Sequence, residues 1–120
     1  MKIFLVEDSV QIRERLVEMI DALGRHCVVG EADNYDDAVA GICRCKPDVA
    51  IFDIKLARGN GIDALAAAKS ELPGLRGIVL SNHATPQHVK ASAEAGAEFF
   101  LDKSAEFERI GDILAAMETA

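Results

Sequence analysis

The sequence predicts an α/β fold, a (βα)5 arrangement in which a doubly wound parallel five-stranded sheet is covered by helices on both faces. The first observation is a strict alternation of short apolar runs with segments of helical periodicity, which is typical of parallel sheets with right-handed crossovers. The second is length, because 120 residues can bury the core of one domain, here residues 1–120. The predicted strands are residues 3–6, 27–29, 49–52, 78–80 and 99–101.

The first two helices have clear start and stop signals. Ser9 is a favourable N-cap for the first helix, and Gly24 ends it. Apolar residues three or four positions apart form the predicted inward face of this helix: Ile12, Leu16, Met19, Ile20 and Leu23. Asn34 caps the second helix, which is weakened slightly by Gly41 and ends before Pro47.

The last three helices are bounded by similar signals. The third begins after the break at residues 59–61 and ends near Pro73, and its predicted inward face is Ile62, Leu65, Ala66 and Leu72. Thr85 caps the fourth helix, which ends before Gly96. Ser104 is predicted to cap the fifth helix, whose apolar face is Phe107, Ile110, Leu114 and Met117.

The composition argues against several classes of protein. The chain has 13 Lys and Arg against 20 Asp and Glu, a net charge of −7, which disfavours direct binding to a nucleic-acid backbone. No apolar stretch suits a membrane span or a signal peptide, so we expect a cytoplasmic protein without a membrane partner. Three cysteines without framework spacing fit that reducing compartment.

Four of the five apolar runs stop at polar groups that phosphate and magnesium chemistry could use. These groups belong to Glu7, Asp8, Asp53, Ser81 and Lys103. Because the carboxyl ends of parallel strands meet at one edge of a sheet, we expect them to be neighbours. Three carboxylates would repel one another by about 4 kcal/mol per pair, so a cation is expected among them, and oxygen ligands suit Mg²⁺. An aspartate beside that ion can act as a nucleophile and form an aspartyl phosphate.

These residues, in this order, resemble a receiver domain of the two-component response-regulator family over the whole length of the chain. The resemblance implies a flavodoxin-like strand order of 2-1-3-4-5. It implies that Asp53 accepts a phosphoryl group from a sensor histidine kinase or a phosphotransfer protein. It also implies that Glu7, Asp8, Asp53 and the main-chain carbonyl of Lys55 bind Mg²⁺, which Mn²⁺ can replace. Gly61 matches a small-residue position of the family.

The resemblance extends to the residues that transmit the signal. Ser81 matches the switch serine or threonine, Lys103 matches the lysine of the fifth strand, and Phe100 matches the aromatic residue three positions earlier. Phosphorylation is then expected to change the face formed by the fourth helix, the fifth strand and the fifth helix. That face would contact an effector protein, an output domain or a second copy in a phosphorylation-dependent homodimer. The chain is either a stand-alone regulator or the receiver of a longer protein.

The chain departs from the family pattern at several positions near the predicted site. Ala57 stands where proline is usual, four residues after the acceptor, so the loop around it is expected to be looser. Asn82 is larger than the residue that usually follows the switch serine, and it would narrow access to the phosphorylated carboxylate. Lys55 and His83 occupy positions that influence attacking water. We expect Lys55, Asn82 and His83 to tune the lifetime of the phosphate.

Three alternative classes of protein fit the sequence less well. A haloacid-dehalogenase-like phosphatase would carry a second aspartate two positions after its nucleophile, whereas Asp8 is followed by Ser9 and Val10. A flavodoxin-like cofactor binder would need a Ser/Thr/Gly-rich phosphate loop after the first strand, whereas residues 7–10 of this chain read Glu-Asp-Ser-Val. A receiver-like interaction module without phosphorylation would lack an acidic residue or the lysine, and all are present. We therefore expect a signalling domain that catalyses its own phosphorylation and dephosphorylation rather than an enzyme with a turnover substrate.

Overall fold

A computed structural model describes residues 1–82 and 84–119. Strands and helices alternate along the chain, and the five strands form one parallel sheet in the order β2-β1-β3-β4-β5. The strands are β1 (Lys2–Val6), β2 (Cys27–Ala32), β3 (Val49–Phe52), β4 (Arg76–Ser81) and β5 (Ala97–Asp102). The helices are α1 (Val10–Ala22), α2 (Tyr35–Cys45), α3 (Gly61–Glu71), α4 (Pro86–Ala95) and α5 (Arg109–Thr119). The predicted fold class and strand order are confirmed.

Two apolar layers bury the sheet on both faces. One layer joins the sheet to α1 and α5, and it includes Leu5, Ile51, Leu80, Leu16, Ile20, Ile110 and Leu114. The other joins the sheet to α2 and α3, and it includes Phe4, Phe52, Val79, Ile42, Leu65 and Ala68. A sheet buried on both sides requires strands that are apolar at successive positions, as the central strands are here. None of the helices in the described part of the chain has the length and apolar character needed to span a bilayer.

The predicted helix starts are confirmed for three helices. The side chains of Ser9, Asn34 and Thr85 accept hydrogen bonds from main-chain N–H groups three positions later, at the N-termini of α1, α2 and α4. Asn60 does the same for α3, through the N–H of Asp63. Each cap satisfies one N–H that the helix itself leaves without a partner.

The predicted start of the last helix at Ser104 is wrong, since α5 begins at Arg109. The side chain of Asp102 accepts hydrogen bonds from the main-chain N–H and hydroxyl of Ser104, at 2.9 and 2.7 Å, and from the N–H of Ala105 at 3.3 Å. The Glu106 side chain accepts the N–H of Asp102 at 3.0 Å, and the N–H of Glu106 donates to the carbonyl of Asp102 at 2.7 Å. These bonds close a turn, and local side-chain bonds of this kind compete with helix formation.

Two further expectations about helix faces differ from the structure. Ala66 is exposed, and the buried residues of α3 are Gly61, Ala64, Leu65 and Ala68. Leu23 lies at the end of α1 and is 39% exposed. Alanine carries too little apolar surface to fix the orientation of a helix, so an Ala-rich segment gives a weak periodic signal.

Gly41 is needed for packing, although glycine is an unfavourable residue within a helix. A Cβ at Gly41 would lie 2.6 Å from the ring of Phe4, and a Cβ at Gly30 would lie 2.5 Å from the same ring. Phe4 is paired with Gly30 across β1 and β2, and its side chain is almost fully buried. The two glycines therefore leave the space between α2 and the sheet that this ring fills.

Candidate functional site

The carboxyl ends of the central strands bring together side chains that are far apart in sequence. The parallel register pairs Val6 with Phe52 and Phe52 with Val79, so the residues that follow β1 and β3 emerge side by side. β4 and β5 end in register as well, with Ser81 opposite Asp102. The edge formed in this way carries the predicted acidic residues and Lys103.

The Lys103 side chain joins the first and third strand ends. Its Nζ donates to Oε1 of Glu7 at 2.7 Å and to Oδ2 of Asp53 at 2.9 Å. The side chains of all three residues are at most 10% exposed. Charged groups buried to this degree are tolerated when they are paired and hydrogen-bonded, as they are here.

Burial and hydrogen bonds shift the pKa values of Glu7 and Lys103. Burial raises the pKa of Glu7 to about 7, more than the hydrogen bonds from Lys103 and the N–H of Ser9 lower it. Burial would lower the pKa of Lys103, but its hydrogen bonds with Glu7 and Asp53 outweigh that effect and raise it. A bound cation would compete with the proton on Glu7, because both occupy the same carboxylate.

Glu7, Asp8 and Asp53 can each offer one carboxylate oxygen within 4.8 Å of the others. Asp8 is exposed, whereas Glu7 and Asp53 are buried. The three carboxylates meet one ammonium, so a divalent cation would balance the remaining charge, and hard oxygen donors of this kind fit Mg²⁺. They border a pocket of about 280 Å³ that is lined by Glu7, Asp8, Ser9, Ile12, Asp53, Lys55, Asn82 and Lys103.

The loop after Asp53 is held in place by main-chain hydrogen bonds. Lys55 forms an isolated antiparallel bridge with Asn60, and the N–H of Gly61 donates to the carbonyl of Ile54 at 2.8 Å. The N–H of Ala57 donates to the carbonyl of Asp33 at 2.9 Å. Proline at position 57 could not make this last bond, since it has no N–H. The N–H of Ala57 therefore anchors this loop to the residue that follows β2.

The other predicted site residues lie around this pocket in different environments. Ser81 is fully buried at the end of β4 and does not line the pocket, whereas the exposed Asn82 does. Phe100 is half-buried and packs against the apolar layer under α2 and α3. His83 lies outside the described residues. The structure brings Glu7, Asp53 and Lys103 into contact and leaves Ser81 beneath the surface.

Two sets of residues that hold this site are not predicted from the sequence. Asp102 and Glu106 bond to the main chain on both sides of Lys103 and fix the turn that presents it. Arg13 reaches back from α1 to the carbonyl of Glu7. The signal for Arg13 is its position four residues after the N-cap, because helical side chains point toward the N-terminus of the helix.

The fold and this edge define a class of protein: a flavodoxin-like α/β domain with an acidic pocket and a buried lysine where ligands bind in doubly wound sheets. A model of the response regulator receiver domain matches residues 3–115, and the chain belongs to that family of two-component signalling domains.

Known relatives agree with this assignment. The DNA-binding transcriptional activator DevR/DosR of Mycobacterium tuberculosis is 34% identical over 102 residues, which cover 85% of this chain and 47% of the activator. The chemotaxis protein CheY of Thermotoga maritima is 31% identical, and the match covers 94% of this chain and 93% of CheY. The chain spans about half the length of several of the curated relatives that it matches.

A solved structure agrees as well. The signal receiver domain of the putative response regulator NarL from Mycobacterium tuberculosis superposes with a TM-score of 0.88 at 28% identity. The superposition covers 99% of this chain and 97% of that domain.

Proposed function

We propose that this receiver domain is a phosphorylation-dependent switch, and that Asp53 accepts a phosphoryl group from a sensor histidine kinase or a phosphotransfer protein. The observation that carries the proposal is the buried Lys103 ammonium, which bonds to both Glu7 and Asp53 at the edge of the pocket. A lysine in this position can bond to Asp53 before the reaction and to a phosphoryl oxygen afterwards. We also propose that residues 1–120 form this one domain.

The reaction is a transfer between a donor nitrogen and a carboxylate oxygen. An oxygen of Asp53 attacks phosphorus, the O–P bond forms, and the P–N bond to the donor histidine breaks and leaves its electron pair on the imidazole. Lys103 neutralises charge that develops on the phosphoryl oxygens. Glu7, Asp8, Asp53 and the carbonyl of Lys55 would hold Mg²⁺, or Mn²⁺ in its place, which supplies further positive charge.

The lifetime of the phosphoryl group depends on access of water to Asp53. Lys55 and Asn82 line the pocket in which that water would move. We propose that their side chains, together with His83, set the rate of dephosphorylation. The bond from the N–H of Ala57 to Asp33 supports a defined position for the Lys55 loop before phosphorylation.

The proposed output is a change in the face formed by α4, β5 and α5. Ser81 bonds to the new phosphoryl oxygens, and Phe100 turns toward the space that Ser81 leaves. Among the described residues of α4, Ser92 alone is buried, and its hydroxyl has no hydrogen-bond partner in the described part of the chain. A helix that buries so little apolar surface is held weakly, which supports α4 as the element that moves.

The proposed partners follow from this surface and from the charge of the chain. The donor is a histidine kinase or phosphotransfer protein, and the receiver of the signal is an effector protein, an output domain or a second copy of this chain. The net charge of −7 supports an indirect role in any regulation of DNA, through an output domain and not through this surface.

Phosphorylation is expected to require a divalent cation. Incubation with acetyl phosphate and Mg²⁺ should add one phosphoryl group, mapped to Asp53 by mass spectrometry, and EDTA should prevent the addition because three carboxylates would then repel the incoming dianion. Asp8→Ala should raise the Mg²⁺ concentration needed for half-maximal labelling. Asp36→Ala, an exposed acidic position on α2, serves as the control. Full labelling of the Asp8→Ala protein in EDTA would contradict the proposal.

The output face should respond to a phosphoryl mimic. Saturation with beryllofluoride and Mg²⁺ is expected to shift amide NMR resonances of α4, β5 and α5, because Ser81 and Lys103 bind the mimic and Phe100 repacks. In a Ser81→Ala protein the mimic should still bind at Asp53, while the shifts in α4 become smaller. Resonances between Thr85 and Met117 that stay unmoved in the saturated wild-type protein would show that this output route is wrong.

A further inference from the structure

Arg13 on α1 contacts the main chain at the base of the acidic pair. Its Nη1 donates to the carbonyl of Glu7 at 2.7 Å, and its Nε lies 3.7 Å from Oε1 of Glu31 on β2. The Arg13 side chain is 20% exposed, so most of it is packed between α1 and the end of β2. Arg13 does not line the acidic pocket, so no step of the proposed phosphoryl transfer involves it directly.

The main chain of Glu7 is hydrogen-bonded through both its N–H and its carbonyl. Its N–H donates to the carbonyl of Ala32 at 2.9 Å, which continues the pairing of β1 with β2, and its carbonyl accepts the bond from Arg13. The Glu7 side chain is held as well, since Oε2 accepts the N–H of Ser9 at 3.1 Å. The direction in which the chain leaves Glu7 determines where the next residue, Asp8, projects. Arg13 therefore bonds to the peptide group that joins the two members of the acidic pair.

The charge of Arg13 and its hydrogen bond to Glu7 are expected to have opposite effects on Mg²⁺ affinity. A guanidinium near the site repels an incoming cation, so its removal should by itself favour Mg²⁺ binding. Loss of the bond to Glu7 should disfavour Mg²⁺ binding, because ligands must be oriented before they can coordinate. The direction of the change in metal affinity therefore separates the two effects.

We infer that Arg13 is a positioning residue, which holds the Glu7–Asp8 turn through the Glu7 carbonyl and so orients the proposed metal ligands. Glu31 assists by keeping the guanidinium in place from β2. The inference rests on the proposed function, since it assumes that the acidic pocket binds a divalent cation.

The test is Mg²⁺ affinity in unphosphorylated protein, measured by amide NMR titration of the full chain. Arg13→Ala is expected to weaken binding about tenfold, as loss of an outer-shell partner of a metal ligand typically does. Arg13→Lys should recover most of the affinity, because an ammonium can still donate to the Glu7 carbonyl. Arg44→Ala removes the same charge from the far end of α2 and should leave the affinity unchanged. Thermal stability, recorded in parallel, reports any purely structural contribution.

The possible outcomes distinguish the positioning role of Arg13 from the proposed function of the domain. Unchanged or tighter Mg²⁺ binding by a folded Arg13→Ala protein overturns the positioning role and leaves the proposed function intact. Absence of Mg²⁺ binding in the wild-type protein overturns both. If Arg13→Ala does not fold, Arg13→Met is compared with Arg13→Lys. Weaker binding by Met, which has no donor for the Glu7 carbonyl, supports positioning, and equal or tighter binding by Met overturns it.

Discussion

An Asp53→Asn protein is expected to take up no phosphoryl group from acetyl phosphate or from a cognate histidine kinase. The substitution keeps the size of the side chain and replaces the nucleophilic carboxylate by an amide. The amide oxygen is a poor nucleophile, and the variant also loses the ion pair that Lys103 makes with Asp53 at 2.9 Å. The measurement is the stoichiometry of label per chain, read by mass spectrometry of the intact protein.

A matched control lies at the opposite edge of the sheet. Asp48 precedes β3, and its carboxylate accepts the N–H of Lys2 at 2.8 Å. Asp48→Asn makes the same chemical change far from the pocket and should leave labelling at the wild-type level. If Asp53→Asn were labelled to the same extent as Asp48→Asn, Asp53 would not be the acceptor.

Gly61→Ala is expected to damage both stability and phosphorylation. A Cβ at this position would lie 1.8 Å from the carbonyl oxygen of Asp53 and 2.8 Å from its carbonyl carbon. Both contacts are with main-chain atoms, so the clash can be relieved only by moving the backbone of the acceptor or the start of α3. We expect the free energy of unfolding to fall by about 3 kcal/mol or more, and labelling of Asp53 to slow in the protein that remains folded.

Urea unfolding and labelling kinetics measure these two effects separately. Gly74→Ala is the control, because a Cβ at Gly74 would have no atom within 4 Å and the residue does not adopt a positive φ. Its free energy of unfolding should change by less than about 1 kcal/mol. Equal stability and equal labelling rates for the two alanine variants would refute the requirement for glycine at position 61.

The proximity of Glu7, Asp53 and Lys103 was predictable from sequence because it follows from the parallel direction of the strands. Once the apolar runs are taken as parallel strands, the residues after each run must share an edge. The helix starts at Ser9, Asn34 and Thr85 were equally predictable, since each signal is local to three or four residues. The chemical roles of these side chains remain predictions.

The remaining features depend on contacts that the sequence does not encode locally. Ser104 has the chemistry of an N-cap, but the side chains of Asp102 and Glu106 close a turn and delay α5 to Arg109. The bond from Arg13 to Glu7 depends on where α1 packs. Residue types alone do not predict this bond, because it depends on the fold.

The space around Phe4 limits how this domain can be redesigned or can diverge. Because Gly30 and Gly41 both approach the same ring, the three positions share one fixed volume, although they are spread over 38 residues of the chain. A larger residue at either glycine is compatible with the fold when position 4 becomes smaller, and a smaller residue at position 4 leaves a cavity unless a glycine is filled. These positions should therefore change together among related sequences, so a library that varies them singly would discard combinations that fold.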